Sequence, residues 1–150
     1  MTPAELKRLP INLNEMDTIN NREDISKLVH VFYSKIRKNE LLGPIFNRHI
    51  SEEQWPEHLN KLTDFWETNL FGIAKFKGSP SAKHIKVDAN MNYKIEQSHF
   101  GVWLQLWFET IDQHFEGEIA NKAKQAAHKM ATGQFLTIWR NRPENNKATT

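Results

Sequence analysis

Two histidines lie among bulky aromatic residues in the middle of the chain, where they could bind a flat, metal-containing cofactor from opposite sides. His58, Leu62 and Phe65 follow the spacing i, i+4 and i+7, which places an imidazole in line with two apolar side chains on one helical face. His84 lies 26 positions beyond His58, after a segment broken by glycine and proline. Histidines this far apart cannot chelate a small ion from one turn of helix, but they can approach one iron from the two faces of a porphyrin. The pattern therefore predicts a haem pocket.

The composition limits the kinds of protein that can carry these residues. At 150 residues, with five Trp and nine Phe, the chain is long enough for one domain with a substantial core. The net charge of +2 comes from interleaved acidic and basic residues, so a nucleic-acid-binding surface is not expected. The chain has no cysteine, which excludes disulfides, iron–sulfur clusters and thiolate-ligated haem. Any iron must be bound through His, Tyr, Met or a carboxylate.

The sequence contains no segment with the pattern of a signal peptide or a membrane span. We therefore expect a cytoplasmic protein that does not contact a membrane. Residues 1–18 are expected to form a polar N-terminal extension, residues 19–140 the folded domain, and residues 141–150 a flexible tail.

The spacing of apolar residues predicts an all-α fold with about four main helices. These helices are expected over residues 22–38, 58–70, 93–115 and 118–140. Residues 71–92 are expected to be mostly irregular, with at most a short helix around His84. Residues 41–46 are predicted to form an apolar turn, because Gly43 and Pro44 interrupt a helix.

Six short motifs, taken together, resemble those of the group III truncated haemoglobins. They are Phe32-Tyr33, Leu42-Gly43-Pro44-Ile45-Phe46, Trp55-x-x-His58, Phe65-Trp66, Gly78-x-Pro80-x-x-x-His84 and His99-Phe100-x-x-Trp103-Leu104. The resemblance covers about residues 18–140 and rests on the order and spacing of the motifs. It implies a two-over-two helical sandwich that holds haem b noncovalently.

The resemblance also implies roles for individual residues. His84 matches the proximal ligand of the iron, and His58 matches the distal histidine. Tyr33 and Trp103 match the distal tyrosine and tryptophan, and Phe46 matches the phenylalanine that packs on the haem. For His58 three roles remain open: it could coordinate the iron, hydrogen-bond the ligand, or swing outward as a gate.

Neighbouring residues complete the expected cofactor site. Leu62 and Phe65 would contact the haem with apolar surface, and Lys61, three residues past His58, could reach a propionate. The second ring nitrogen of His84 needs a hydrogen-bond acceptor, and we expect a backbone carbonyl of the same irregular segment to supply it.

The function implied by the resemblance is reversible binding of O2, NO or CO, for O2 storage or scavenging. The Tyr33 hydroxyl and the Trp103 indole would donate hydrogen bonds to bound O2. At about 1 to 1.5 kcal/mol for each bond, two donors would slow O2 release by roughly a hundredfold.

Two other functions compete with this one. The first is a haem enzyme that oxidises NO or reacts with peroxide, for which a separate reductase is needed because the chain has no room for a flavin or nicotinamide domain. The second is a haem-free helical interaction module or a di-iron bundle, because Glu96-x-x-His99 is half of a di-iron carboxylate motif. For each of these functions, including ligand binding, we expect a monomer.

Overall fold

The computed structural model describes residues 16–146, which are helical apart from short connections. The seven α-helices of this part are α1 (Arg22–Lys38), α2 (Gly43–His49), α3 (Trp55–Phe71), α4 (Pro80–Asn90), α5 (Gln97–His114), α6 (Glu118–Arg140) and α7 (Pro143–Asn146). A single turn of 3-10 helix, Glu52–Gln54, precedes α3. The all-α expectation is confirmed.

Four helices form the framework of the molecule. Helices α1 and α3 pack as one pair, α5 and α6 pack as the other, and α1 also packs on α5. The short helices are attached at the sides, α2 on α1 and α4 on α6. At the centre the indole of Trp107 stacks on that of Trp66, with ring centroids 4.5 Å apart, and lies parallel to that of Trp103 at 6.1 Å. The centre of the main core is therefore a stack of indole rings.

Helix α1 shows how local sequence fixes an element. The Asn21 side chain accepts a hydrogen bond from the backbone N–H of Asp24 and caps the first turn, and basic residues occupy the last turn. The apolar stripe of the helix is buried and comprises Ile25, Leu28, Val29, Phe32, Tyr33 and Ile36. The predicted bounds, 22–38, are confirmed.

The Gly43-Pro44 pair begins a helix. The expected turn over residues 41–46 is therefore wrong for residues 43–46, which are helical. Pro44 lies in the first turn of α2, where its missing N–H has no intrahelical partner to lose. Gly43 packs so closely under α1 that an added Cβ would lie 2.6 Å from the carbonyl oxygen of Arg37. Phe46 therefore reaches the core from a helix.

The segment before α5 is also more regular than expected, because α4 is a helix of eleven residues. The Ser79 hydroxyl accepts a hydrogen bond from the backbone N–H of Ala82, and Pro80 opens the helix. Among the side chains of α4, only that of Asp88 is fully buried. Ile85 and Val87 of this helix are half-buried and pack against a second, smaller core cluster formed by Ile45, Ile95 and Ile138.

Helix α5 begins at Gln97, four residues later than predicted. Asn92 and Tyr93 take left-handed backbone conformations, with φ values of 57° and 60°, and form a turn instead of a helix. Glu96 then caps α5, and its backbone N–H donates a hydrogen bond to Nδ1 of His99 at 2.9 Å. The predicted bounds of α6, 118–140, are confirmed.

The expected extension and tail lie largely outside the described residues, which exclude 1–15 and 147–150. Within the described part, Ile19 is buried and the backbone of Asp17 pairs with that of Phe115. Near the other end, the guanidinium of Arg142 binds the carboxylate of Asp88, with N···O distances of 3.0 and 3.1 Å.

No helix between residues 16 and 146 is long and apolar enough to cross a membrane.

Candidate functional site

An aromatic cluster around Tyr33 brings together residues of three helices. The distances from the Tyr33 ring centroid are 4.8 Å to Phe32, 5.9 Å to Phe46, 6.0 Å to Trp55 and 6.3 Å to His58. Burial raises the pKa of Tyr33 to about 12, against a smaller opposite effect of hydrogen bonding by Trp103. The phenol hydroxyl therefore keeps its proton at neutral pH and remains a hydrogen-bond donor.

Trp103 of α5 joins the same cluster through Phe32. The Phe32 ring lies edge-on to the Trp103 indole, with centroids 5.6 Å apart, and contacts Tyr33 on its other side. Tyr33, Phe46, His58 and Trp103, which are far apart in the sequence, are thus close together in the fold.

His58 is half-buried on α3, with its ring edge-on to that of Trp55 at a centroid distance of 5.4 Å. Burial, followed by the positive charges of Lys83 and Lys61, lowers the pKa of His58 from 6.5 to about 4. The imidazole is therefore neutral at pH 7, with one nitrogen able to donate and the other able to accept a hydrogen bond.

Two lysines from different helices face this region. Lys61 is exposed on α3 and pairs with Glu57 at 3.4 Å. Lys83 is exposed on α4, and its charge acts on both His58 and His84. Sequence reasoning missed Lys83, although its position next to His84 could have indicated it; its closeness to His58 depends on how α4 packs.

Leu62 and Phe65 continue the α3 face that carries His58. Both are half-buried and pack against the main core. The Phe65 ring is edge-on to Phe76 at 5.1 Å, which connects α3 to the segment leading into α4.

A surface cleft of about 560 Å³ reaches this cluster from the side of α2. Tyr33 and Trp55 form part of its wall, and the guanidinium of Arg37 lies 4.7 Å from the centre of the Trp55 ring. Arg37 also forms an ion pair with Glu52. The buried indole nitrogen of Trp55 has no hydrogen-bond partner among residues 16–146.

His84 lies on α4, the helix that packs on α6. The Phe100 ring of α5 is edge-on to it, with centroids 6.0 Å apart. Its Nδ1 is 3.1 Å from Oε1 of Gln134 on α6. The expected backbone carbonyl partner is therefore replaced by a side-chain amide. Burial lowers the pKa of His84, with Gln134 acting in the opposite direction and Lys83 in the same one.

This donor set fits haem. Nδ1 of His84 donates to Gln134, so Nε2 carries the lone pair, and Nε2 has no hydrogen-bond partner in the described part of the chain. A neutral imidazole with one free nitrogen is an axial ligand that haem iron takes. Glu96 and His99, by contrast, are used to cap α5, and the described residues hold no group of three or more His, Cys, Asp or Glu placed to bind a metal ion.

A known protein and a solved crystal structure are similar to this chain. "Group 3 truncated hemoglobin ctb" of Campylobacter jejuni subsp. jejuni serotype O:2 is 37% identical over 114 residues, which are 75% of this chain and 86% of that protein. The crystal structure of the group III truncated hemoglobin from Campylobacter jejuni superposes with a TM-score of 0.72 and 34% identity, over 82% of this chain and 95% of that chain. The chain belongs to the group III truncated haemoglobins. No family model matches it.

Membership in this family confirms the expected fold class. The pairs α1/α3 and α5/α6 are the two layers of a truncated-globin helical sandwich. The likeness also supports a globin haem protein.

Proposed function

We propose that this truncated haemoglobin binds haem b and reversibly binds diatomic ligands, O2 foremost, for storage or scavenging. The observation that carries the proposal is the state of His84, a neutral imidazole with Nδ1 hydrogen-bonded and Nε2 free. Haem bound here supplies an iron that takes a gas ligand and can change its oxidation state. His84 is the proposed metal ligand.

Other side chains are proposed to hold the cofactor by apolar contact and by charge. Phe46, Leu62 and Phe65 are half-buried, so they keep apolar surface that a porphyrin can cover. Lys61 and Lys83 lie near His58 and offer positive charge to the two propionates.

The distal residues are proposed to hold the gas ligand through hydrogen bonds. The pKa of about 12 keeps a proton on the Tyr33 oxygen, and the Trp103 indole N–H cannot lose its proton at any physiological pH. His58, neutral at pH 7, adds a third polar group, and its three possible roles remain open. Two donors retain O2 for a long time, which suits storage or scavenging more than transport.

The hydrogen-bond acceptor of His84 favours ligand binding over peroxide chemistry. A carboxylate acceptor would give the ring more imidazolate character and favour peroxidase-like activation, whereas the amide of Gln134 is neutral.

We also propose that the protein is monomeric and cytoplasmic. Its partners are O2, NO and CO and, for any catalytic turnover, a separate reductase.

Absorption spectroscopy tests the proposal. We expect the purified, haem-supplemented protein to show a Soret band that shifts when the ferrous form binds CO, and a pyridine haemochrome spectrum of b type. His84→Ala should lose or strongly alter this band. His128→Ala, at an exposed position of α6, is the matched control and should behave as wild type. A wild-type protein without a Soret band would overturn the proposal and favour the haem-free alternative.

A further inference from the structure

The side-chain amide of Gln134 joins α6 to two residues of α4. Its Oε1 lies 3.1 Å from Nδ1 of His84 and 3.1 Å from Oγ of Ser81. Ser81 and His84 are three residues apart, so both side chains project from the same face of α4. An amide oxygen has two lone pairs, and these two donors use both of them.

We propose that Gln134 is a positioning residue that fixes the tautomer and ring orientation of His84 and limits its strength as an electron donor to iron. This inference rests on the proposed haem function. It assigns the role to a side chain on a different helix from the ligand, 50 positions along the chain.

The Gln134 oxygen determines which nitrogen of His84 carries the ring proton. Nε2 can bind a metal only when the ring proton is on Nδ1, and a proton on Nδ1 needs an acceptor in this partly buried position. Oε1 of Gln134 is the only acceptor recorded for it in the described part of the chain. Without this oxygen the neutral ring is free to place its proton on Nε2, where it blocks coordination.

The ring orientation is fixed from two directions. The Gln134 amide holds the Nδ1 edge, and the Phe100 ring lies nearly perpendicular to the imidazole, at an interplanar angle of 87°. Phe100 is itself supported by Phe135, the residue after Gln134, with centroids 6.0 Å apart. Both supports of His84 therefore depend on the same turn of α6.

The strength of His84 as an electron donor to iron depends on two properties of the Gln134 oxygen: it is uncharged, and it accepts hydrogen bonds from both His84 and Ser81. A neutral amide draws the Nδ1 proton less strongly than a carboxylate, and the Ser81 hydroxyl competes for the same oxygen. His84 should therefore bind as an imidazole with little imidazolate character. Replacing one side chain can raise or lower that character, which is not possible with a backbone carbonyl.

The first test needs no haem. In the apoprotein, 15N NMR of the imidazole should show the Nδ1-protonated tautomer of His84 in the wild type. Gln134→Leu should move the population toward the Nε2-protonated form. Gln125→Leu, at an exposed position of the same helix, is the matched control and should leave the tautomer unchanged. An unchanged tautomer in Gln134→Leu would overturn the inference.

The second test uses the haem-loaded, ferrous protein. The iron–histidine stretching band in resonance Raman spectra should move to lower frequency in Gln134→Leu, to higher frequency in Gln134→Glu, and slightly higher in Ser81→Ala. Haem loss from Gln134→Leu should be about tenfold to a hundredfold faster than from wild type, the usual effect of removing such an outer partner. Equal band positions in wild type, Gln134→Leu and Gln134→Glu would overturn the inference.

The two proposals fail in different ways. If the wild type takes up no haem, the proposed function fails together with the part of the inference that concerns the iron, and the NMR tautomer still decides whether Gln134 sets the ring proton of His84. If the wild type takes up haem but the Gln134 variants match it in band position and haem loss, only the inference about Gln134 fails. Gln134→Glu nearly preserves shape, so it keeps the test usable if the leucine variant folds poorly.

Discussion

The two sides of the candidate site are built in different ways. On the side of Tyr33, four helices contribute aromatic rings that belong to the main core or pack against it. On the side of His84, helix α4 buries only one side chain fully, that of Asp88. Its remaining attachments include the Gln134 amide and the Asp88–Arg142 ion pair. Aromatic packing thus shapes the side of Tyr33. The side of His84 combines a small apolar cluster, against which Ile85 and Val87 of α4 pack, with a few polar contacts.

This difference predicts different responses to mutation. An aromatic cluster spreads the energy of each ring over many contacts, so losing one polar group changes its shape little. Helix α4 has only one fully buried side chain, so its hydrogen bonds and its ion pair account for a larger share of its attachment. Substitutions on the two sides can therefore be compared directly, and their expected effects differ in size.

Removing a central indole should cost the most. Trp107 is completely buried, and its Nε1 donates a hydrogen bond to the backbone carbonyl of Ala123 at 3.2 Å. Trp107→Ala should lower the free energy of unfolding of the apoprotein by about 3 to 5 kcal/mol, measured by guanidinium denaturation. Val87→Ala, on the half-buried face of α4, should cost about 1 kcal/mol. Equal losses would contradict the contrast between the two sides.

Breaking the ion pair at the end of α4 should come next. The side chains of Asp88 and Arg142 are 2% and 13% exposed, so Asp88→Asn leaves a largely buried guanidinium without its counter-charge. We expect a loss of about 3 kcal/mol in unfolding free energy. Asp112→Asn, which breaks an exposed pair with Lys124, is the matched control and should cost at most about 1 kcal/mol. A similar cost for both variants would show that α4 does not depend on its anchor.

Removing the Tyr33 hydroxyl, a proposed hydrogen-bond donor to the gas ligand, should change ligand release while leaving the fold intact. Tyr33→Phe keeps the ring in the cluster and deletes one donor, so O2 should dissociate about tenfold faster in stopped-flow displacement by CO. The chain has one other tyrosine, Tyr93, which is 41% exposed on the turn before α5. Tyr93→Phe should release O2 at the wild-type rate. An unchanged rate in Tyr33→Phe would remove this hydroxyl from the proposed site.

The smallest effect should be a pH dependence from His58. Its pKa is about 4 in the folded apoprotein and about 6.5 when unfolded, so the unfolded state binds more protons between these values. Stability should therefore fall as the pH is lowered from about 6.5 to about 4. His58→Leu should flatten this part of the profile, while His128→Leu should not. Because the His58 ring is only half-buried, solvent screening keeps the effect on stability modest. Parallel pH–stability profiles of the wild type and His58→Leu would contradict this prediction.

The sequence predicted best those parts of the fold whose signals are local. Helices α1 and α6 could be delimited to the residue, because the Asn21 cap and the turn at Gly117, with φ of 103°, are encoded beside them. Ser79 and Pro80 carried a similar start signal for α4, which the weak apolar pattern of the segment hid. Left-handed conformations at Asn92 and Tyr93 left no such signal, so the start of α5 was placed too early.

The candidate site shows the same division. Tyr33, His58 and Trp103 could be proposed from motif order and spacing, and the fold brings them together in one cluster. The Gln134–His84 bond joins residues 50 positions apart and exists only because α4 packs on α6. Glu96-x-x-His99 was ambiguous for a related reason: the same spacing serves a metal site and a helix cap, and only the backbone of α5 distinguishes them.

The stack of Trp66, Trp107 and Trp103 also provides an intrinsic spectroscopic probe of folding. Indole rings that face each other at 4.5 and 6.1 Å act as coupled chromophores, whose near-ultraviolet circular dichroism depends on their mutual orientation. Trp66 lies on α3 and Trp107 on α5, so the coupling between these two rings arises only when the two helices are docked. Refolding can thus be timed without a label, and docking of the two layers can be separated from the later arrival of any cofactor.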